Sequence, residues 1–150
     1  MFRCWKLRSM VPDAGTRLAL HLAANPVTAA EWARDFKLAD DPRITRLGGF
    51  LRRSSLDELP QIWNVLLGDM SLVGPRPVTA PEYASYGRSQ RYYRRLRPGM
   101  TGVWQVSGRA TAGYRARVAM DVDYYWRAGP WTDLRILAAT LGAVLGRTGR

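Results

Sequence analysis

This 150-residue chain has one cysteine, one histidine and only two lysines. The single Cys4 excludes a disulfide scaffold and makes a reducing, cytosolic setting the default. With His21 as the only other soft ligand, a zinc site of ordinary type is nearly excluded too. Long apolar runs are also missing. The longest uncharged C-terminal run, Ile136 to Gly146, has eleven residues, against roughly 20 for a spanning helix. The N-terminus, MFRCWKLRSM, lacks the apolar stretch of a signal peptide. Spanning is excluded, but lying on a membrane is not. The phosphate loops GxxxxGK[ST] and GxGxxG are absent, as is HExxH, and one histidine does not serve a Ser-His-Asp triad without an unusual base.

Acids are scarce as well: 12 Asp+Glu stand against 23 Lys+Arg, a net charge of +11. The basic residues are 21 arginines plus Lys6 and Lys37. Arginine grips phosphate oxygens with a planar fork, although a GC-rich coding bias gives the same excess. On either account the partner is anionic: nucleic acid, lipid headgroups or a phosphorylated small molecule. Six Trp, seven Tyr and three Phe within 47% hydrophobic residues exclude a disordered chain and suit one folded domain over 1–150.

The apolar and polar patterning predicts a mainly helical α+β domain. Alternation from Phe2 to Met10 predicts a short strand. Helices are expected over Thr16 to Ala24 and over Thr28 to Phe36, the latter with Thr28 as N-cap. Ile44, Leu47, Phe50 and Leu51 among Arg43, Arg46, Arg52 and Arg53 describe a basic amphipathic helix. Such a helix suits a headgroup layer or an ordinary surface, and Gly48-Gly49 weakens it. Ser55-Leu56-Asp57-Glu58 matches a capping box before a helix ending near Gly68. Gly74-Pro75-Arg76-Pro77 is a stiff loop. A basic helix is expected over Tyr83 to Leu96, a strand over Thr101 to Val106, and further helices over Thr111 to Trp126 and Thr132 to Leu145.

Asp57-Glu58 is the most suggestive acid pair. Carboxylates in a helix first turn also have the plain role of complementing its dipole. Pro60 is out of place in that helix, however, and a broken local rule beside two acids is characteristic of functional sites. Between Tyr83 and Met120 there are no acids but eight arginines, interleaved with Tyr86, Tyr92, Tyr93, Trp104 and Tyr114. That mixture suits stacking on single-stranded nucleic acid, a nucleotide-sugar pocket or a membrane-interface belt.

Two ordered stretches are more specific: DDPRITRLGGFLRRSSLDELPQIWNVLLGDMSLVGPRPV at 40–78 and RPGMTGVWQVSGRAT at 97–111. With WKLRSM before them and DVDYYWRAGPWTDLRIL after, they resemble the bacterial sugar transferase family. These are monotopic polyprenyl-phosphate phosphoglycosyl transferases, of the undecaprenyl-phosphate galactose or glucose type used in exopolysaccharide synthesis. The resemblance implies that Asp57 and Glu58 are a catalytic dyad. Asp57 would attack the sugar-bearing phosphorus of a UDP-sugar and expel UMP; undecaprenyl phosphate would then take the phosphosugar. Glu58 would hold Mg²⁺. Lys6, Arg8, Arg76, Gln105, Arg109 and Asp121 would bind substrate, and Asp123 is given no role.

The resemblance further implies a location on the cytoplasmic face of the inner membrane and no nucleic-acid partner. Family members begin with an apolar re-entrant helix that would precede Trp5, so relative to the family the chain is expected to be N-terminally truncated. A second departure is Trp126-Arg127-Ala128-Gly129, where an Asn-containing turn is expected. Two alternatives remain: an inactive truncated member, or a single-stranded nucleic-acid binder that leaves Asp57-Glu58 unexplained.

Overall fold

Two three-residue strands set the frame of the domain. The computed structural model describes residues 2–107 and 113–145. β1 (Ser71–Val73) pairs in parallel with β2 (Gly99–Thr101), in the register Ser71 to Gly99 and Val73 to Thr101. Parallel neighbours need a crossover, supplied here by α5 (Ala80–Ala84), a 3-10 turn at Gly87–Ser89 and α6 (Gln90–Tyr93). The backbones beyond the strands approach closely at three glycines. A Cβ on Gly99 would run into the Gly74 nitrogen, and one on Gly102 into the Gly74 carbonyl oxygen. Only glycine allows the loop carrying Arg76 to lie against β2 in this way.

Two long C-terminal helices cover the strands, α8 (Tyr114–Arg127) and α9 (Pro130–Leu145). Val73, Tyr124 and Ile136 form the buried cluster, with Leu96, Val103, Val106 and Leu137 packed against it. Tyr124 satisfies its hydroxyl by donating to Asp133 at 2.8 Å. Thr101 and Thr140 share a hydroxyl hydrogen bond of 2.8 Å between β2 and α9. The Ala128-Gly129 departure is the short link between α8 and α9, with Ala128 as the C-cap of α8.

The mainly helical α+β class is borne out, while several local expectations are corrected. Phe2 to Met10 is extended but forms no strand, because its partners are not a strand. Asn64 accepts from the Trp5 N–H at 3.0 Å and donates to the Arg3 carbonyl at 2.7 Å. The Leu7 N–H goes to the Asp57 carbonyl at 3.0 Å. Only Met10 bridges to a neighbouring extended residue, Ile44. Helix α1 (Ala14–Ala24) starts two residues early. Helix α2 (Pro26–Asp35) is capped by Asn25, not Thr28: Asn25 accepts from the Val27 N–H, and Pro26 sits at the first helical position.

The Ser55 capping box does not form. Ser55 is left-handed, at φ 56°, and makes no capping bond; Leu56–Glu58 is a 3-10 turn, and the helix starts only after Pro60, as α4 (Gln61–Leu66). Pro60 has no N–H to donate, which rules out a continuous helix through it. A reciprocal cap forms instead at Thr79, whose N–H reaches Glu82 at 2.8 Å. The basic helix over 83–96 is broken into α5, the 3-10 turn and α6, with Gly87 at φ 50°. The strand over 101–106 ends at Thr101, and Val103–Val106 is the short helix α7.

The basic amphipathic helix is present as α3 (Arg46–Arg53), capped by the Thr45 hydroxyl, which accepts from Gly48. Gly48 is needed because a Cβ there would strike the Ser9 carbonyl, whereas one on Gly49 meets only the tip of Arg53. Thermal or denaturant unfolding should separate the two. Gly48→Ala should lose about 2 kcal/mol or more, and Gly49→Ala should gain up to about 1 kcal/mol from helix propensity. Equal effects would show that the Ser9 contact does not hold α3.

Candidate active site

The 3-10 turn places Asp57 and Glu58 between α3 and α4, following the left-handed Ser55. A non-glycine residue in that region is a stored strain of a kind that clusters at functional sites. Asp57 is buried, at 7% exposure. Glu58 collects two cations from distant parts of the chain. Lys6 Nζ lies 2.8 Å and Arg76 Nη2 2.9 Å from the same oxygen, Oε1. Three segments therefore meet on one carboxylate: the N-terminal extended segment, the dyad turn and the Gly74–Pro77 loop.

The two acids are tuned in opposite directions. Asp57 titrates above the usual carboxylate range, through its burial first and the neighbouring Glu58 charge second, against the pull of Lys6, Arg52 and Arg76. Burial also pushes Glu58 upward, but Arg76 and Lys6 outweigh it, and its carboxyl is held below the usual range. Glu58 is thus an ion-paired anchor, and Asp57 a more basic, desolvated carboxylate. Among the described residues neither cation pairs directly with Asp57.

Of the residues singled out in the sequence, Lys6 and Arg76 are on Glu58. Gln105 lies at the Gly74–Gly102 approach, where the loop that carries Arg76 begins. Its amide donates to the Met100 carbonyl at 3.0 Å, while its buried Oε1 has no partner. Arg8 is exposed, and no ion pair of it is found among the described residues. Arg109 lies outside the described residues. Asp121 occupies a separate buried pair, accepting from the Tyr86 hydroxyl at 2.6 Å. Burial raises it to about 6, against the Tyr86 hydrogen bond and the charge of Arg117.

Four residues here are given no site role by the sequence. Asn64, fully buried at 0% exposure, holds the segment that carries Lys6. Lys37, Trp104 and Arg117 form a cationic row between the dyad and Asp121: the Lys37 ammonium lies 4.8 Å and the Arg117 guanidinium 5.0 Å from the Trp104 ring centroid. One signal was available. In a chain of 21 arginines there are only two lysines, and both come to this cleft.

The raised Asp121 makes a stability prediction whose sign is fixed. The folded state holds this proton more tightly than the unfolded chain does, so stability should fall as pH rises from about 4 to about 6 and level off above. Asp121→Asn removes that slope and should raise stability at pH 7 by up to about 3 kcal/mol. Urea unfolding across this range checks it, and an unchanged slope in the variant would refute it.

With this geometry in place, comparison with known proteins is informative. A family model described as bacterial sugar transferase matches residues 1–147. The UDP-galactose-lipid carrier transferase of Erwinia amylovora is 52% identical over 148 residues, 99% of this chain and 31% of the relative. The undecaprenyl-phosphate galactose phosphotransferase of Salmonella typhimurium is 50% identical over 149 residues, again 99% and 31%. A UDP-glucose:undecaprenyl-phosphate glucose-1-phosphate transferase of Xanthomonas campestris is 47% identical over 118 residues, 72% of this chain and 24% of the relative. The chain spans under a third of the length of these relatives. A strained turn carrying paired acids, clamped by a lysine and a loop arginine, and a family match over nearly every residue agree: the chain belongs to the bacterial sugar transferase family.

Proposed function

We propose that this chain transfers a hexose-1-phosphate from a UDP-sugar to undecaprenyl phosphate, releasing UMP, as a first step of exopolysaccharide assembly. The observation that carries the reading is the asymmetric dyad: Glu58 neutralised by Lys6 and Arg76, and Asp57 beside it buried and left without an ion pair. An Asp57 carboxylate oxygen attacks the sugar-bearing phosphorus, and the phosphoanhydride bond to UMP breaks. A phosphate oxygen of the lipid then attacks the same phosphorus and releases Asp57. Covalent catalysis of this type replaces one difficult displacement with two easier ones. The positive charge of Arg76 and Lys6 offsets the repulsion between an anionic nucleophile and a diphosphate.

The donor set beside Asp57 fits Mg²⁺, which takes one or two carboxylates together with substrate phosphates and water. Both cations share Oε1 of Glu58, so its second oxygen stands outside these two ion pairs. When bound, Mg²⁺ would supply charge neutralisation at the diphosphate. The assay is UMP release from a panel of UDP-sugars, with and without a chelator. Asp57→Asn should lower turnover by about 10³-fold or more, and unchanged release would remove Asp57 as nucleophile. Chelation should abolish release, and activity should fall as pH drops into the raised range of Asp57.

The membrane surface is the second part of the proposal, and α4 supports it. No helix among the described residues is long and apolar enough to cross a membrane. Yet α4 buries its polar residues Gln61 and Asn64 while exposing Ile62, Trp63 at 58% and Leu66 at 71%. Leu47, Phe50, Leu56, Leu59 and Leu67 extend this exposed apolar surface, and Arg46 and Arg53 are exposed along α3. Apolar residues outward with arginines beside them complement an anionic lipid surface. Leu56 and Leu59 flank the dyad, so a lipid phosphate at this surface is delivered to Asp57. Co-sedimentation with vesicles containing anionic phospholipid checks this. The wild-type chain should be retained, and Trp63→Ser with Leu66→Ser should lose about tenfold or more of the binding. Equal retention would overturn the orientation.

A further inference from the structure

Lys6 and Arg76 are committed to Glu58, but a third cation in the same cleft is not. Lys37 follows Phe36, the C-cap of α2, whose backbone is left-handed at φ 53° and whose N–H bonds to the Trp32 carbonyl at 2.9 Å. The Phe36 ring holds this turn by packing edge-on against Trp32 and Tyr114, with centroids 6.3 and 5.5 Å away. The outcome is that the Lys37 ammonium is laid over Trp104, with no carboxylate in ion-pair range among the described residues. Arg117 shares that ring. Its side chain is 8% exposed, its ion pair to Glu82 is long at 3.4 Å, and its Nε and Nη2 have no hydrogen-bond partner among the described residues. Trp104 Nε1 is likewise buried and unpartnered.

Of the three neighbouring cations Lys37, Arg76 and Arg117, Lys37 is the one without an ion pair among the described residues. Much of the Lys37 residue contacts solvent, yet its ammonium feels burial first, then the like charges of Arg76 and Arg117, with Glu58 and Glu82 opposing. Its pKa falls to about 8. A cation left without an ion pair beside other cations is relieved by an anion that binds to it.

We propose that Lys37, with Arg117 at the same Trp104 ring, is a second phosphate subsite, distinct from the Lys6–Arg76 pair on Glu58, and that it holds a phosphate group of one of the two phosphorylated substrates. This rests on the transferase reading for the identity of the substrates, and on the geometry alone for the phosphate chemistry. Lys37 supplies the contact and the buried Arg117, at the same ring, supplies further positive charge. The phosphate is carried either by the nucleotide donor or by the lipid acceptor.

Titration calorimetry of the chain with inorganic pyrophosphate, with UDP and with undecaprenyl phosphate in detergent tests it. Lys37→Met keeps an aliphatic stem over Trp104 and removes the charge; it should weaken binding by about tenfold. Lys37→Arg should restore affinity to within about threefold. Between pH 7 and 9, roughly the range in which a group with a pKa near 8 titrates, wild-type affinity should fall while that of Lys37→Arg stays level. A loss confined to pyrophosphate and UDP assigns the subsite to the donor; a loss confined to the lipid assigns it to the acceptor. Lys37→Met binding all three as wild type does overturns the subsite, as does a loss that Lys37→Arg fails to restore. UMP release is read in parallel. Its absence with every UDP-sugar, alongside intact Lys37-dependent pyrophosphate binding, overturns the transferase reading and leaves the subsite standing.

Discussion

One carboxylate oxygen, Oε1 of Glu58, organises the active cleft. Lys6 is 52 residues before it and Arg76 lies in a loop beyond β1, so the two ion pairs tie three segments that share no secondary structure. Each pair is only partly exposed, with Glu58 itself at 20%. Removing either cation would leave a desolvated charge short of a partner, and that loss exceeds the net worth of the pair. The supports are equally specific. Asn64 pins the N-terminal segment from below, and glycines 74, 99 and 102 let the arginine loop lie flat on β2.

Around this clamp the domain has an unusual division between inside and outside. Its buried apolar cluster is small, centred on Val73, Tyr124 and Ile136, while large apolar side chains of α3, α4 and the dyad turn face outward. In α4 the polar residues Gln61 and Asn64 are the buried ones. That is the reverse of a helix docked on a core in water, where the apolar stripe turns inward. Asn64 is buried because its amide satisfies two backbone groups of the N-terminal segment. Polarity at the inner face of α4 and exposure at its outer face are therefore two results of one arrangement.

Much of this was legible in the chain itself. The helical class, α1, α3, α8 and α9 and the stiff Gly74–Pro77 loop follow from periodicity and turn residues, while Lys6 and Arg76 are tied to Asp57-Glu58 in the sequence only by the family resemblance. Some failures are local, such as the Asn25 cap of α2 and the break at Gly87, and the others come from partners lying far away in sequence. Phe2 to Met10 alternates like a strand, but its hydrogen bonds go to an asparagine side chain and a turn carbonyl. Ser55 and Glu58 have capping-box spacing, but Pro60 blocks the helix, and Glu58 faces two cations that no local pattern reveals. Gly48 reads as a helix breaker and is in fact the place where Ser9 crosses α3. Lys37 and Arg117 are 80 residues apart and come together at the Trp104 ring.

The net charge of +11 is a poor guide to the chemistry until the cations are sorted by their partners. Arg17, Arg34, Arg43 and Arg127 pair with nearby aspartates on their own helix or turn, and so serve local structure. The cleft instead draws on both lysines of the chain, with Arg76 and Arg117. A guanidinium stays charged at any physiological pH, whereas burial first and the neighbouring Arg76 and Arg117 second bring the Lys37 ammonium down to about 8. The cleft thus joins fixed charge to charge that responds to whatever anion occupies it. In the proposed transfer an arriving phosphate would favour the protonated lysine and a departing one would relax it, so a cation tuned in this way would not hold each anion equally tightly at every stage.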